Sequence, residues 1–337
     1  MTRDRRRPRV LHVVHALGVG GMERNLEEIV RRTADQFEHQ VCCMRERGAL
    51  ADAFVAAGVA VHDLQLAGNH PLRAARRFAA VLGAVRPDVV HARNWSAIEA
   101  VPVARLRGVR GVVFSEHGRR CEPRVRRREW IRRLLSPFVD VFVGPSEDVR
   151  DFLVRMVGIR PARTLTIANG VDARRFRPAP DRAGQRAACG LAAQDRIVVA
   201  LGRLQPVKNG LLLCEAFAPL AAADPRLRLL FVGDGPERGA IEALAAARGV
   251  AGQVTITGMR DDVECWLGCA DVFAHPSRTE GASNAILQAM ACGLPVVASD
   301  IAANREMVRH GVEGVLVDSS DRDALAAALA GYANDEE

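Results

Sequence analysis

The sequence predicts an α/β protein made of two doubly wound parallel-sheet domains. Three observations lead there. The chain has 337 residues, more than one ordinary hydrophobic core accommodates, so two domains are expected. Apolar runs of strand length alternate with helix-patterned segments from end to end, which marks strands buried on both faces of a parallel sheet. The alternation pauses once, in a polar, basic stretch interrupted by Pro178, Pro180 and Gly184, and then restarts.

In the first series, strands are expected near residues 10–15, 39–44, 59–64, 89–92, 111–116 and 139–143, with helices such as 22–34, 72–85 and 95–106 between them. The pause covers Asn169-Gly170-Val171-Asp172 and 174–185. The second series alternates through 197–201, 211–221, 227–232, 237–248, 254–257, 272–275, 285–291, 296–299 and 315–317. The expected domains are 1–170 and 186–337, joined by a linker at 171–185 and meeting at a cleft. No short tandem repeat interrupts this plan. Ligands of open α/β sheets bind beyond the carboxyl ends of the strands, so the loops that follow strands carry the candidate chemistry.

Composition removes several classes. Hydrophobic residues make up 49 % and charged residues 26 %, the profile of a folded globular chain. No stretch approaches the roughly 18 apolar residues of a membrane-spanning helix. The basic start, 1–9, runs into the alternating Val10-Leu11-His12-Val13-Val14-His15, which reads as a strand and not as a secretory leader. A cytoplasmic location is therefore expected. The eight cysteines are scattered; Cys265 and Cys269 have helical spacing, but no second Cys or His pair lies near enough in sequence for zinc, so reduced core thiols are expected. The net charge of +7 favours anionic partners without choosing among nucleotides, lipid phosphates, acidic glycans and nucleic acids.

Three loops stand out. Gly18-Val19-Gly20-Gly21 follows the first strand and leads into a helix. The glycines suit either a close backbone approach to a phosphate or sugar, or simply a tight turn. Gly202-Arg203-Leu204-Gln205-Pro206-Val207-Lys208-Asn209 follows the strand 197–201. Its two cations, Arg203 and Lys208, suit a diphosphate, or else are solvated surface charges. His275-Pro276-Ser277-Arg278-Thr279-Glu280-Gly281-Ala282-Ser283-Asn284 follows the strand 272–275 and opens the next helix. Ser283 and Asn284 sit at capping positions, and Glu280 lies just outside the positive helix end. There it either accepts hydrogen bonds from sugar hydroxyls or caps the helix. Gln288, eight residues on, either reaches a ribose hydroxyl or faces solvent. In Glu116-His117-Gly118, His117 either donates a hydrogen bond or proton at a bound sugar or is structural; His91 poses the same question.

Together these residues resemble glycosyltransferase family 4, retaining enzymes with the GT-B fold. The resemblance spans nearly the whole chain. It is carried by the 18–21 loop, His117, Asn169-Gly170-Val171-Asp172, Gly202-Arg203-Leu204 with Lys208, and 280–295. The opening, His12-Val13-Val14-His15 through Gly20-Gly21-Met22-Glu23-Arg24, is similar to a bacterial subgroup found in exopolysaccharide and exosortase settings. The resemblance implies a nucleotide-sugar donor, a UDP-sugar first and a GDP-sugar second. It implies that Arg203 and Lys208 bind the donor diphosphate, that Glu280 holds the sugar, and that Gly281, Ser283, Asn284 and Gln288 complete the donor site. Gly20, Gly21 and His117 would approach the sugar from the other domain. It also implies front-face attack through an oxocarbenium-like transition state, so that positioning and stabilisation of the departing phosphate supply the catalysis, with no metal and no cofactor. Asp321-Arg322-Asp323 has the letters of a D-x-D but opens a C-terminal helix, where acids are favourable anyway. Two departures are plain. The family's second acid is Gln288 here, and the chain stops soon after 325–332, where family members continue through further helices; a truncated second domain is the expectation.

The segment 119–138, from Arg119 to Phe138, mixes Arg119, Arg120, Arg124, Arg126, Arg127, Arg128, Arg132 and Arg133 with Trp130, Ile131, Leu134 and Leu135. It is expected either to dock on an anionic membrane near a lipid-linked or glycan acceptor, which adds a peripheral position at the inner membrane face, or to be a solvated basic face. Three functions are open at this point: an active transferase of polysaccharide or glycoconjugate synthesis, a donor-binding protein without turnover, and a basic nucleic-acid binder. The last lacks stacking platforms, since aromatics are only 4 %.

Overall fold

The computed structural model describes residues 6–18, 20–66, 71–118 and 125–334. The chain divides into two compact units, Met1–Ala168 and Asn169–Glu337.

Among the described residues, the first unit holds seven strands: β1 (Arg9–Ala16), β2 (Glu38–Glu46), β3 (Ala60–Asp63), β4 (Val89–Arg93), β5 (Gly111–Ser115), β6 (Val141–Gly144) and β7 (Thr164–Thr166). They pair in parallel in the order β3-β2-β1-β4-β5-β6-β7. The chain winds one way from β1 and the other way from β4, so the loops after these two strands flank the switch point. Helices α1 (Gly21–Thr33), α2 (Ala51–Ala56), α3 (Pro71–Val85), α4 (Ala100–Leu106), α5 (Val125–Leu135) and α6 (Glu147–Asp151) fill the crossovers. Alternation along β1 divides its side chains between two layers. Leu11 and Val13 join Phe78 and Phe114, whereas Val14 joins Leu26, Val30 and Phe54. β7 is a strand the sequence pattern does not reveal, because three residues with two threonines carry no apolar run.

The second unit repeats the plan with β8 (Arg196–Leu201), β9 (Leu227–Val232), β10 (Val254–Ile256), β11 (Val272–His275), β12 (Val296–Ser299) and β13 (Gly314–Val317), in the all-parallel order β10-β9-β8-β11-β12-β13. Here the switch point lies between β8 and β11. Its helices are α7 (Arg182–Ala188), α8 (Gly210–Ala223), α9 (Arg238–Ala247), α10 (Val263–Cys269), α11 (Asn284–Ala291), α12 (Ala302–Arg305) and α13 (Arg322–Asn334). Val198 faces Leu213 and Phe217, while Ile197 and Val199 face Phe273 and Ile286.

The stretch 171–185 is packed on this second unit and does not run free. Phe176 is buried in its core, Val171 packs beside it, Arg175 pairs with Glu264 at 2.7 Å, and α7 already begins at Arg182. One buried aromatic anchors a segment whose prolines and arginines otherwise read as linker. The described cysteines are free thiols, and Cys42, Cys43, Cys214, Cys269 and Cys292 are buried. No described helix is long and apolar enough to cross a membrane.

Candidate active site

In the second unit, the loops after β8 and β11 meet at the switch point. Gly202 leaves β8 at φ 139°, and a turn over Pro206–Lys208 leads to Asn209, which adopts φ 61°. Asn209 is buried, and its side-chain amide donates to Pro276 O at 3.2 Å and Ser319 O at 2.7 Å. One side chain thus ties the β8 loop to the loops after β11 and β13. Arg278 N donates to Val207 O at 2.9 Å, a backbone tie between the same loops.

A third loop, Gly233-Asp234-Gly235, supports them from below and carries no signal in the strand–helix pattern. Leu204 N donates to Asp234 O, and Glu237 N donates to Leu204 O. A Cβ on Gly233 would lie 2.1 Å from Gly202 O, and one on Gly235 would lie 2.3 Å from Leu204 O. Gly233 also adopts φ +146°, a region open to glycine alone. We expect Gly233→Ala to cost about 3 kcal/mol in a urea titration, because both strain and a backbone clash must be relieved. A cost below about 0.5 kcal/mol would show that the loop gives way freely.

On this frame Lys208, Glu280 and His275 converge. Lys208 Nζ lies 2.5 Å from Glu280 Oε1, and His275 Nε2 lies 3.0 Å from the same oxygen. Glu280 is 13 % exposed and Lys208 30 %, so water screens the pair weakly. Burial alone would raise the Glu280 carboxyl, but the hydrogen bond from His275 and the charge of Lys208 outweigh it and hold Glu280 well below the usual carboxylate range. Burial lowers His275 in turn, so a neutral imidazole donates its Nε2–H. His275 begins the third loop singled out by sequence, but it was given no role there; only its position at the end of a strand could have pointed to one.

Arg203 is exposed and makes no hydrogen bond or ion pair among the described residues. Gly202, Arg203, Lys208, His275, Pro276 and Ser277 line one recess. Ser283 is the N-cap of α11, its hydroxyl accepting from Ile286 N. The carbonyl of the preceding Ala282 accepts from the Asn169 side chain at 3.3 Å, so the Asn169-Gly170 motif tethers the Glu280 loop. Gly281 is buried beside Glu280, and Asn284 opens the helix. Gln288 is half-buried on α11 without a side-chain hydrogen bond among the described residues. Asp321 accepts from Asp323 N and Ala324 N, which makes it the cap of α13.

In the first unit, Gly20 and Gly21 start α1 in extended-to-helical geometry, and Arg24 N donates to Gly20 O at 3.0 Å. Val19 lies outside the described residues. His117 follows β5 on the same edge. Its backbone N donates to Asn94 Oδ1 at 2.7 Å, and the Asn94 amide reaches Met22 Sδ at 3.1 Å. Arg93, 1 % exposed, extends Nη2 to Met22 O and Asn25 Oδ1. So the structure brings His117 and the Gly20-Gly21 turn to one end of the first sheet through Arg93 and Asn94, two residues that sequence reasoning passed over. An asparagine directly after a strand, the residue type that tolerates the φ 64° Asn94 adopts, is the signal that could have found it. Burial first, and the Arg93 charge second, lower the His117 imidazole to about 3, so it is neutral at pH 7.

Of the basic segment, Arg119, Arg120 and Arg124 lie outside the described residues, as do Cys121 and the side chain of Arg126. Within α5 the arginines divide. Arg132 is buried against Glu116 at 2.5 Å and stacks on Trp95, and Arg128 also lies over Trp95. Arg127 and Arg133 remain exposed beside Trp130 and Leu134, which are 63 % and 55 % exposed.

Known families match both units. Residues 19–175 match Glycosyltransferase Family 4, and residues 195–335 match the glycosyl transferases group 1. The D-inositol 3-phosphate glycosyltransferase of Thermobispora bispora is 30 % identical over 273 residues, 74 % of this chain and 63 % of that protein. A GDP-mannose-dependent alpha-(1-6)-phosphatidylinositol monomannoside mannosyltransferase of Mycolicibacterium smegmatis is 34 % identical over 245 residues, 68 % of this chain and 62 % of that protein. The chain thus spans less than two thirds of the length of these curated relatives. Among solved structures, HepE of Anabaena, in complex with UDP and glucose, superposes with a TM-score of 0.85 at 24 % identity, covering 97 % of this chain and 90 % of that one. With both units matched by the paired families, and with two parallel-sheet Rossmann-like domains in the GT-B fold, the chain belongs to the family 4, group 1 glycosyltransferases.

Proposed function

We propose that the chain transfers a sugar from a nucleoside-diphosphate donor to a glycan or lipid-linked acceptor with retention at the anomeric carbon. The observation that carries this reading is the Lys208–Glu280–His275 cluster beside the uncommitted Arg203 at the switch point of the second sheet. Lys208 spends one of its three N–H donors on Glu280, which leaves two for phosphate oxygens. Arg203 adds a planar fork suited to a diphosphate. Glu280, held anionic, accepts from sugar hydroxyls through Oε2, which has no hydrogen bond among the described residues. These cations stabilise the charge that grows on the departing diphosphate. Gly281, Ser283 and Asn284 place the α11 N-terminus beside that charge. Gln288, where the resembled family has an acid, hydrogen-bonds the ribose as a neutral amide. Gly20, Gly21 and His117, gathered at one end of the first sheet, form a separate sugar-binding candidate of the first unit.

A UDP-sugar is the first donor to test. The HepE structures hold UDP or UDP-glucose, whereas the mycobacterial relative's name specifies GDP-mannose. Calorimetric titration with UDP, GDP and ADP, with and without EDTA, should show EDTA-resistant binding of one of them. Arg203→Ala should weaken it roughly 10- to 100-fold, the worth of a charge-assisted contact. Failure of all three nucleotides to bind would remove the reading.

For the acceptor we propose that the exposed face of α5, Arg127, Trp130, Arg133 and Leu134, rests on an anionic membrane at the cytoplasmic side. Sedimentation with anionic vesicles at low salt should carry the protein down, and Trp130→Ala should release most of it. No sedimentation at low salt would end that part of the proposal.

A further inference from the structure

One hydrogen-bonded chain threads the core of the first unit. Thr33 Oγ1 lies 2.9 Å from His39 Nε2, His39 Nδ1 lies 3.0 Å from His12 Nε2, and His12 Nδ1 lies 3.2 Å from His91 Nδ1. His91 Nε2 lies 2.9 Å from Ser115 Oγ, which lies 2.9 Å from His117 Nε2. The chain therefore uses both ring nitrogens of three histidines and ends on the fourth, the candidate site residue. The sheet register makes it possible, since His12 and His91 are partners across β1 and β4, and Arg93 and Ser115 across β4 and β5.

Its direction follows from one atom. Thr33 Oγ1 also reaches Ile29 O at 2.7 Å, and a carbonyl only accepts. The single hydroxyl proton is committed there, so Thr33 must accept from His39 Nε2–H. A neutral imidazole has one N–H, so His39 Nδ1 accepts from His12 Nε2–H, and His12 Nδ1 accepts from His91 Nδ1–H. His91 Nε2 then accepts from the Ser115 hydroxyl, which accepts from His117 Nε2–H. Neutrality is enforced by burial of the rings and by the enclosed Arg93 guanidinium, which opposes a positive charge on His12, His91 and His117.

We infer that Thr33, His39, His12, His91 and Ser115 are positioning residues that hold His117 in its Nε2–H tautomer, so that its Nδ1 lone pair is what it offers to a hydroxyl group of a bound sugar. The proton assignment stands on the hydrogen-bond geometry and on the neutrality of the enclosed rings; the sugar as recipient rests on the transferase reading. His117 is then an acceptor, not the donor of a hydrogen bond or proton that its position after β5 suggests.

The test uses unliganded protein labelled with 15N at histidine, observed at pH 7 in long-range proton–nitrogen correlation spectra and assigned with single variants such as His117→Gln. The expected pattern is Nε2–H for His12, His39 and His117 and Nδ1–H for His91. The mirror pattern, Nδ1–H for the first three and Nε2–H for His91, overturns the inference, as does an imidazolium at any of the four. Thr33→Val keeps the β-branched shape but removes the anchoring oxygen. It should bring the Nδ1–H form of His117 from undetected to a population comparable with the other tautomer, and Thr33→Ser should restore the original pattern. A His117 unmoved by Thr33→Val would show that the chain does not set it. No nucleotide or turnover enters, so this result and the nucleotide titration fail independently.

Discussion

Lys208→Ala is expected to lower kcat/KM for sugar transfer by roughly 100- to 1000-fold, the loss that follows removal of a preorganised charge at a developing anion. The same substitution should destabilise the second unit by about 3 kcal/mol, because it leaves the Glu280 carboxylate, 13 % exposed, with only a neutral imidazole for company. The two losses have separate origins and separate remedies. Pairing Lys208→Met with Glu280→Gln removes the stranded charge as well, so stability should return to within about 1 kcal/mol of the parent while transfer stays lost. Transfer that recovers together with stability in the double variant would mean that Lys208 holds the loop and does no more.

Acidification should unfold the first unit before the second. Burial lowers the His12, His91 and His117 imidazoles in the folded chain, with the Arg93 charge as a second cause. The unfolded chain therefore takes up protons below about pH 6.5 that the folded chain refuses. Stability from these groups is complete above that value and is lost as pH falls toward the folded values. Each contributes a slope of up to about 1.4 kcal/mol per pH unit, so three together reach about 4 kcal/mol per unit, a large share of an ordinary domain's stability. His39 and His62, lowered by burial but only partly enclosed, add less. In the second unit His275, lowered by burial, has this sign, and the Glu280 pair is lost only below about pH 4.5. Urea titrations between pH 7.5 and 5.5, followed by fluorescence of Trp95 or Trp130 for the first unit and of Trp266 for the second, check the order. Equal shifts in both units would contradict it.

What was legible in the sequence was local. The alternation of apolar runs located most strands, and the Ser283 cap could be read from spacing, because each depends on a few consecutive residues. What was hidden depends on separation. Lys208 and Glu280 share an oxygen contact across 72 positions, and the histidine chain gathers residues from 12 to 117 that only a β3-β2-β1-β4-β5 order makes neighbours. Gly233 and Gly235 carry no signal in the sequence pattern, since their requirement comes from the backbone of another loop. Arg93 drew no reading from sequence, because its enclosure beside the histidines is a property of the packed sheet.

The contact of Gly202 and Leu204 with Gly233 and Gly235 is made by main-chain atoms, which every amino acid shares. Mutational drift over the surrounding side chains therefore leaves that seat in place. Side chains around the recess can therefore be exchanged, as in a randomised library, while the main-chain support beneath Arg203 stays.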